Sequence, residues 1–387
     1  MKSTLVSAAL LSVASAAPAE QSTQNATAFL AGGNPFAGAS VYANTFYSKR
    51  VEAAIPKLAS GLSADKAKAV AKIPSFFWMD KLERVPEIAN FVADAKKMGG
   101  NVVIPLVVYD LPNRDCAALA SNGEYSVKDG GAEKYKGYIK AVKDQIVAAG
   151  SQKFVLVWEP DSLANLVTNM NEQKCQEAAS AYKELTAWGL KEMNLPNVAI
   201  YLDAGHAGWL GWDANLGPAA NLFAQIYQSA GKPAAVRGLA TNVANYNAFK
   251  FPGGACPSYA ESNKVCDESR YVNKLGPMLK QKGFPANFIV DTGRSGVQPT
   301  KQQKWGNWCN VIGTGFGPRP TANTGDALVD AFVWVKPGGE CDGTSDRSAP
   351  RFDAHCDSPD ALKPAPQAGE WYQAYFEQLL QNANPPI

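Results

Sequence analysis

Seven short runs rich in β-branched and aromatic residues recur along the chain, and most are followed by a longer stretch with helical spacing. The runs are IPSFFWM from Ile73, NVVIPLVVY from Asn101, KFVLVWE from Lys153, NVAIYLD from Asn197, VRGLATNV from Val236, NFIVD from Asn287 and AFVWV from Ala331. Helical spacing falls over 85–98, 132–149, 172–193, 221–229 and 268–282, with a last helix expected over 369–381. Strands that alternate with helices specify a parallel sheet, because parallel neighbours need a crossover between them. Seven such units without a nucleotide-binding motif favour a (β/α) barrel over a doubly wound sheet.

Barrels of this kind place their chemistry at the C-terminal ends of the strands and in the loops that follow. Just past the seven runs stand Asp80, then Tyr109 and Asp110, then Glu159 and Asp161. Asp203 and His206 come next, then Asn242 and Asn245, Asp291, and finally Lys336, Glu340 and Asp342. In the stretch VLVWEPDSLAN, local roles are available for both acids: Glu159 can pair with a neighbour, and Asp161 can cap a helix starting near Leu163. Capping does not account for Tyr109, His206 and Lys336 together, and this moves Asp161 toward function.

Composition removes several alternatives. Lys and Arg number 37 against 35 Asp and Glu, a balance without the footprint of a nucleic-acid binder. Only His206 and His355 are present, so a three-histidine zinc site is excluded, and no H-E-x-x-H, C-x-x-C or G-x-S-x-G motif occurs. GTGFG at Gly313 lacks dinucleotide spacing. No cofactor or metal is implied. The N-terminal MKSTLVSAALLSVASA has a positive start, an apolar run and a small-residue cleavage site, so a signal peptide over 1–16 and a secreted, soluble protein are expected. Residues 17–33 read as a short disordered leader with one glycosylation sequon at Asn25. No other apolar run is long enough to span a membrane. Seven cysteines in a secreted chain imply disulfides and one spare thiol. Cys256 and Cys266 bracket a polar loop and are expected to pair; spacing leaves the other five open.

Abundant carboxylates without a metal set or an activated nucleophile suggest glycoside hydrolysis, which needs one carboxyl kept protonated by burial and like charge. Asp161, behind the low-polarity VLVWEP, is the better general acid; Glu159 still lies within the strand. The loop segments GHAGWLGW and WGNW place Trp209, Trp212, Trp305 and Trp308 beside polar groups, and Trp78 ends the first run. Flat rings next to hydrogen-bonding groups match a sugar, which is apolar on its C–H faces and polar at its rim. Trp158, Trp188, Trp334 and Trp371 read as core.

The segments VYDLPNRDCAALASNGEY, WEPDSLANLVTN, YLDAGHAGWLGW, RGLATNVANYN, QQKWGNWCNVIGTGFG and WVKPGGECDGTSD resemble glycoside hydrolase family six, specifically its fungal cellobiohydrolases. The resemblance covers one domain, 34–387. It implies a distorted barrel of about seven parallel strands with a loop-covered active-site tunnel. It also implies inverting hydrolysis of cellulose and cello-oligosaccharides, with cellobiose released from non-reducing ends by a monomer.

By motif, the resemblance makes Asp161 the general acid and Asp115 the carboxylate that keeps it protonated. Tyr109 crowds the sugar at the cleavage point, and Ser121 holds the water line. The base is Asp342 or, by a water relay through Ser121, Asp115. Trp78 and Trp305 become product-side platforms, and Trp209 and Trp212 chain-entry platforms. Asp203, His206, Asn245, Lys336 and Glu340 bind hydroxyls, and Asp80 joins them at its strand end.

The resemblance pairs Cys116 with Cys175 and Cys309 with Cys356, leaving Cys341 free as a small hydrophobe. The bridges would pin two loops, 110–131 and 336–367, over the barrel mouth, and loops that long usually serve a site. A roofed site favours processive exo action; an endoglucanase of the same family is the alternative. The chain departs from many relatives in having no cellulose-binding module or Ser/Thr/Pro linker, so weak adsorption to crystalline cellulose is expected. Asp213 replaces a usual proline at the chain-entry rim. Trp158 replaces an aliphatic residue, where its ring is expected to add to the desolvation of Asp161.

Overall fold

The computed structural model describes Met1 and residues 33–260 and 262–387. Apart from Met1 and Gly33, the signal-peptide reading, the leader and the sequon at Asn25 lie outside the described residues. The sheet is parallel throughout and is built from β1 (Ser40–Val41), β2 (Phe77–Met79), β3 (Val102–Val108), β4 (Lys153–Trp158), β5 (Val198–Asp203), β6 (Val236–Thr241), β7 (Asn287–Asp291) and β8 (Val329–Val333). From β3 to β8 the spatial order follows the chain. β1 pairs with the start of β3, at Val102 and Val103, and β2 with its end, at Leu106 to Val108. Two short strands thus share one position, so the sheet has the seven positions expected. The FFWM end of the first run supplies β2; β1 is too short to leave a pattern.

Side chains of successive strand residues alternate between two layers. Val103, Val107, Val155, Val157, Tyr201, Ile289 and Val333 fill the inside of the curled sheet, while Ile104, Leu106, Leu156, Ile200, Leu239 and Phe288 meet the helices outside. Burial on both faces is the usual state of a parallel sheet. The ring closes by bridges and not by a full ladder. Phe76 N–H donates to Trp334 O (3.0 Å) near the mouth, and Asn34 Nδ2 donates to Asp330 O (2.6 Å) at the base.

The helices are α1 (Thr45–Ala54), α2 (Ala64–Val70), α3 (Glu87–Met98), α4 (Gly131–Ala148), α5 (Ser162–Thr168), α6 (Gln173–Glu192), α7 (Ala207–Leu210), α8 (Asp213–Ser229), α9 (Glu268–Gln281) and α10 (Gln373–Gln381). Five lie close to their expected spans. α8 differs, running eight residues further upstream, through Pro218. α1 carries a faint pattern, with only Tyr47, Val51 and Ala54 buried, and is started by Asn44, whose side chain accepts the Tyr47 N–H (2.8 Å).

Trp158 belongs to the outer layer. A Cβ at Gly189 of α6 would lie 2.6 Å from its ring, so the indole fills the space that glycine leaves. The expected desolvation of Asp161 by this ring is therefore corrected: strand alternation turns Trp158 toward the helices, away from the barrel mouth. Cys116–Cys175, Cys256–Cys266 and Cys309–Cys356 are bridged, and Cys341 is free and buried.

Candidate active site

The C-terminal ends of the strands open into a cleft of about 480 Å³. Two loops meet above it. Loop 110–131 is tied to α6 by Cys116–Cys175, and loop 336–367 is tied to the barrel-top loop at Cys309 by Cys309–Cys356. Between them, Leu119 N–H donates to Asp353 Oδ2 (3.0 Å) and Arg351 Nε to Ala120 O (2.8 Å).

Asp161 sits where β4 turns into α5. The backbone is left-handed at Glu159 (φ 48°) and at Asp161 (φ 61°), on either side of Pro160. Each such residue costs roughly 1–3 kcal/mol and persists only where its surroundings fix it. Glu159 does the fixing on one side: its buried carboxylate accepts the N–H groups of Asp110 and Leu111, each at 3.2 Å, tying the ends of β3 and β4 together. Asp203 does it on the other, accepting the Asp161 N–H at 3.0 Å and the Gly205 N–H at 3.2 Å. The turn aims the Asp161 carboxyl into the cleft.

Burial, and then the charges of Asp115 and Asp203, push the Asp161 carboxyl well above the usual carboxylate range; Lys336 opposes them and loses. Asp115, also left-handed (φ 53°), is pushed up to about 6 by burial, with Lys174 and Arg114 pulling it down. Burial raises Asp203 to about 7, against its two N–H donors. Asp342 has the opposite character. Burial alone would raise it, yet Arg294 and Lys336 hold it below the usual range. Arg294 Nη1 reaches both its oxygens (2.9 and 2.7 Å), and Oδ2 also accepts from Tyr246 Oη (2.9 Å) and Asn310 N (2.9 Å).

The remaining polar groups and rings divide along the cleft. Tyr109 meets Trp78 edge-on, with ring centroids 5.1 Å apart, and lies under the Arg114 guanidinium at 4.2 Å. Trp78 Nε1 donates to Val335 O (2.9 Å), and Lys336 Nζ stands 5.8 Å from its ring. Asp80 and Glu340 complete this end, Glu340 paired with Arg50 at 2.6 Å. The other end holds His206, Trp209, Trp305 and Asn245. His206 is lowered to about 4 by burial and accepts the Gly208 N–H at Nδ1 (3.1 Å), which leaves the proton on Nε2 of a neutral ring.

Thirteen of the fifteen expected catalytic and binding residues line the cleft; Asp203 and Trp212 do not. Asp203 lies beneath Asp161 as its support, and Trp212 stands behind Trp305, centroids 6.4 Å apart. Trp305 is also moved from its expected place. It groups with His206 and Trp212 and not with Trp78, because Gly208 lets the indole close in; a Cβ there would lie 2.4 Å from the ring. Asp213 is exposed in the first turn of α8. Ser121 lines the roof, its carbonyl accepting from Arg114 Nε (2.9 Å). Cys341 is pushed up to about 12 by burial and is no nucleophile.

Sequence reading missed Arg114, Asn165, Asn169, Arg351 and His355 among the lining residues, and Arg294 behind Asp342; Trp308, read as a loop tryptophan beside polar groups, lines the cleft. Asn165 and Asn169 had a signal: they follow Asp161 at i+4 and i+8, one face of α5. The rings of Trp308 and His355, 47 residues apart in sequence, meet at a tilt in the roof, centroids 5.5 Å apart.

A carboxyl held neutral by burial and like charge, beside a second acid in a roofed cleft paved with indoles, defines a glycoside hydrolase. The chain belongs to glycosyl hydrolases family 6, whose sequence profile matches residues 36–383. It is 61% identical over 359 residues to a probable 1,4-beta-D-glucan cellobiohydrolase C of Aspergillus fumigatus, covering 91% of this chain and 78% of the relative. The 1,4-beta-D-glucan cellobiohydrolase CEL6A of Podospora anserina is 60% identical over 362 residues, 92% of this chain and 74% of the relative. The catalytic core of the cellobiohydrolase Cel6A from Chaetomium thermophilum superposes with a TM-score of 0.89 at 59% identity, over 92% of this chain and 99% of that one. Cellobiohydrolase II (Cel6A) from Humicola insolens, in complex with glucose and cellotetraose, does so with a TM-score of 0.89 at 55% identity, over 92% and 100%.

Proposed function

We propose that this enzyme is a cellobiohydrolase that cuts β-1,4-glucosidic bonds of cellulose and cello-oligosaccharides with inversion, releasing cellobiose from non-reducing ends. The observation that carries the reading is the pair Asp161 and Asp115: one carboxyl kept protonated by burial and then by the other's charge, inside a cleft that two joined loops roof over. Asp161 donates its proton to the glycosidic oxygen as the C–O bond breaks. Tyr109, wedged between Trp78 and Arg114, crowds the sugar at that point. Water adds to the anomeric carbon from the opposite face and gives up a proton.

The base is assigned to Asp115, through a water held at Ser121. Asp342 is a poor base because its oxygens are already taken by Arg294, Tyr246 and the Asn310 N–H. Asp115, raised to about 6, has the higher proton affinity. After a turnover Asp115 carries the proton Asp161 has lost, and its return resets the pair. Trp78 with Glu340, Lys336 and Asp80 would hold the cellobiose product; Trp305, Trp209, His206 and Asn245 would hold the incoming chain. The protein is proposed to be secreted, with removal of residues 1–16, and to act as a monomer with 34–387 as its catalytic domain.

Product analysis on phosphoric-acid-swollen cellulose, with the anomer followed by NMR, tests the reading. Cellobiose appearing first as the α-anomer is expected. First-formed β-anomer would exclude inversion, and viscosity loss outpacing cellobiose release would point to the endoglucanase alternative.

A further inference from the structure

Lys174 is the second residue of α6, next to the disulfide that fastens loop 110–131. Its ammonium is half-buried under that loop: Nζ donates to Arg114 O (2.9 Å), Asp115 O (2.9 Å) and Asn122 Oδ1 (2.6 Å), with Ala118 O at 3.5 Å. An ammonium has three protons, so these contacts use all of them. Two of the acceptors are the carbonyls on either side of the Asp115 Cα, in a turn where Asp115 is left-handed. All of the acceptors are neutral, so none of these contacts cancels the lysine's charge.

We propose that Lys174 is a positioning residue that clamps the Asp115 turn from below and directs the proton shared by Asp115 and Asp161 onto Asp161. The inference rests on the acid and base roles proposed above and adds what orders them. Asp115 is faced by Lys174 and Tyr182 from α6, Arg114 on its own loop, Tyr109 from the end of β3, Asp161 from the end of β4, and Asp353 with His355 from the opposite roof loop.

Of the cations, Arg114 acts on Asp115 after Lys174. Its guanidinium serves the carbonyls of Asp80, Tyr109 and Ser121 and lies 3.5 Å from the Asp110 carboxyl, which burial pushes up to about 10. His355 is bound to Asp353 at 2.8 Å. After burial, Lys174 is the largest influence on the Asp115 carboxyl, pulling it down ahead of Arg114 and His355. Asp161 receives its cationic influence from Lys336 instead. The two carboxyls are thereby made unequal, which an acid and base pair must be. The reset of the pair, a proton passing from Asp115 back to Asp161, then runs downhill.

The test is the pH profile of kcat on a soluble cello-oligosaccharide for K174Q and K174R. Gln keeps donors for the carbonyls and loses the charge. K174Q is expected to lose about tenfold in kcat, to move the acid limb up by about one pH unit, and to leave KM within about twofold. K174R should return the limb toward its original place. A K174Q profile superimposed on wild type would overturn the inference. Should K174Q not fold, N122A decides: it frees one short bond and keeps the charge, so a lowered kcat with an unmoved acid limb supports the clamp and an unchanged kcat refutes it. Wild type run alongside separates the two claims. No cellobiose from wild type sinks the cellobiohydrolase reading, whereas an active wild type matched by K174Q sinks only the role of Lys174.

Discussion

Asp161, at the end of β4, and Asp342, in the loop after β8, face the same cleft; Asp342 is buried and Asp161 half-buried. Desolvation is the largest influence on each and drives both carboxyls toward the neutral form. They end in opposite states because their neighbours differ. Asp161 is met by two further carboxyls and one cation; Asp342 is met by Arg294 on both oxygens, by Lys336 at 3.5 Å, and by two neutral donors. Burial makes an acid sensitive to its partners, and the partners choose its charge.

The largest effect should come from taking the proton away. Asp161→Asn cannot donate to a leaving oxygen, and kcat is expected to fall by about 10²–10⁴-fold, with cello-oligosaccharide affinity by calorimetry nearly unchanged. Turnover near the wild-type rate would remove Asp161 from the role. Next is the removal of the partner on the other side. R294M leaves a buried carboxylate without its counter-charge and should cost about 3–5 kcal/mol in denaturant unfolding. The double variant R294M/D342N should recover part of that loss. If the two single changes simply add, the ion pair does not set the state of Asp342.

Both acids also write themselves into the pH dependence of stability, with opposite sign. Asp342 has a depressed pKa in the folded state, so its contribution is complete above the unfolded value near 3.9 and is lost as pH falls through the folded one. Asp161 has a raised pKa, so folding is favoured at low pH and a penalty grows as pH rises past the unfolded value. Each pH unit over which only the folded chain keeps that proton costs about 1.4 kcal/mol. Asp161→Asn should therefore melt close to wild type at pH 4 and above it at pH 8. A gap that is constant with pH would mean that Asp161 titrates normally.

The comparison also marks what the sequence could disclose. A polar residue that ends an apolar run is visible, and Asp161, His206, Asn245 and Lys336 were found that way. The support that fixes their charge was not visible. Arg294 lies 48 residues from Asp342, and Lys174 lies 59 from Asp115, at the start of a helix that was read from its spacing without any sign of what its second residue touches. Those contacts exist only once the barrel brings its loops together. Trp305 shows the same limit: the motif WGNW exposes the ring, but the side of the cleft it joins is decided by the missing side chain of Gly208. The two roof disulfides were readable through family resemblance alone, since five cysteines leave many pairings.

The smallest expected effect bears on where the dryness at Asp161 comes from. Trp158 lies three residues upstream, and proximity in sequence makes its ring a natural source of apolar surroundings. The pleat argues otherwise, since the indole fills the hollow above Gly189 on the helix side of the sheet. If the cleft walls and the neighbouring carboxyls set the state of Asp161, then W158F should leave the alkaline limb of the kcat profile in place. It should cost only the packing it removes, about 1–3 kcal/mol of stability. A limb that moves down in pH with W158F would show that the outer layer reaches through the strand to the acid, and the contrast between the two carboxyls would then owe less to their partners.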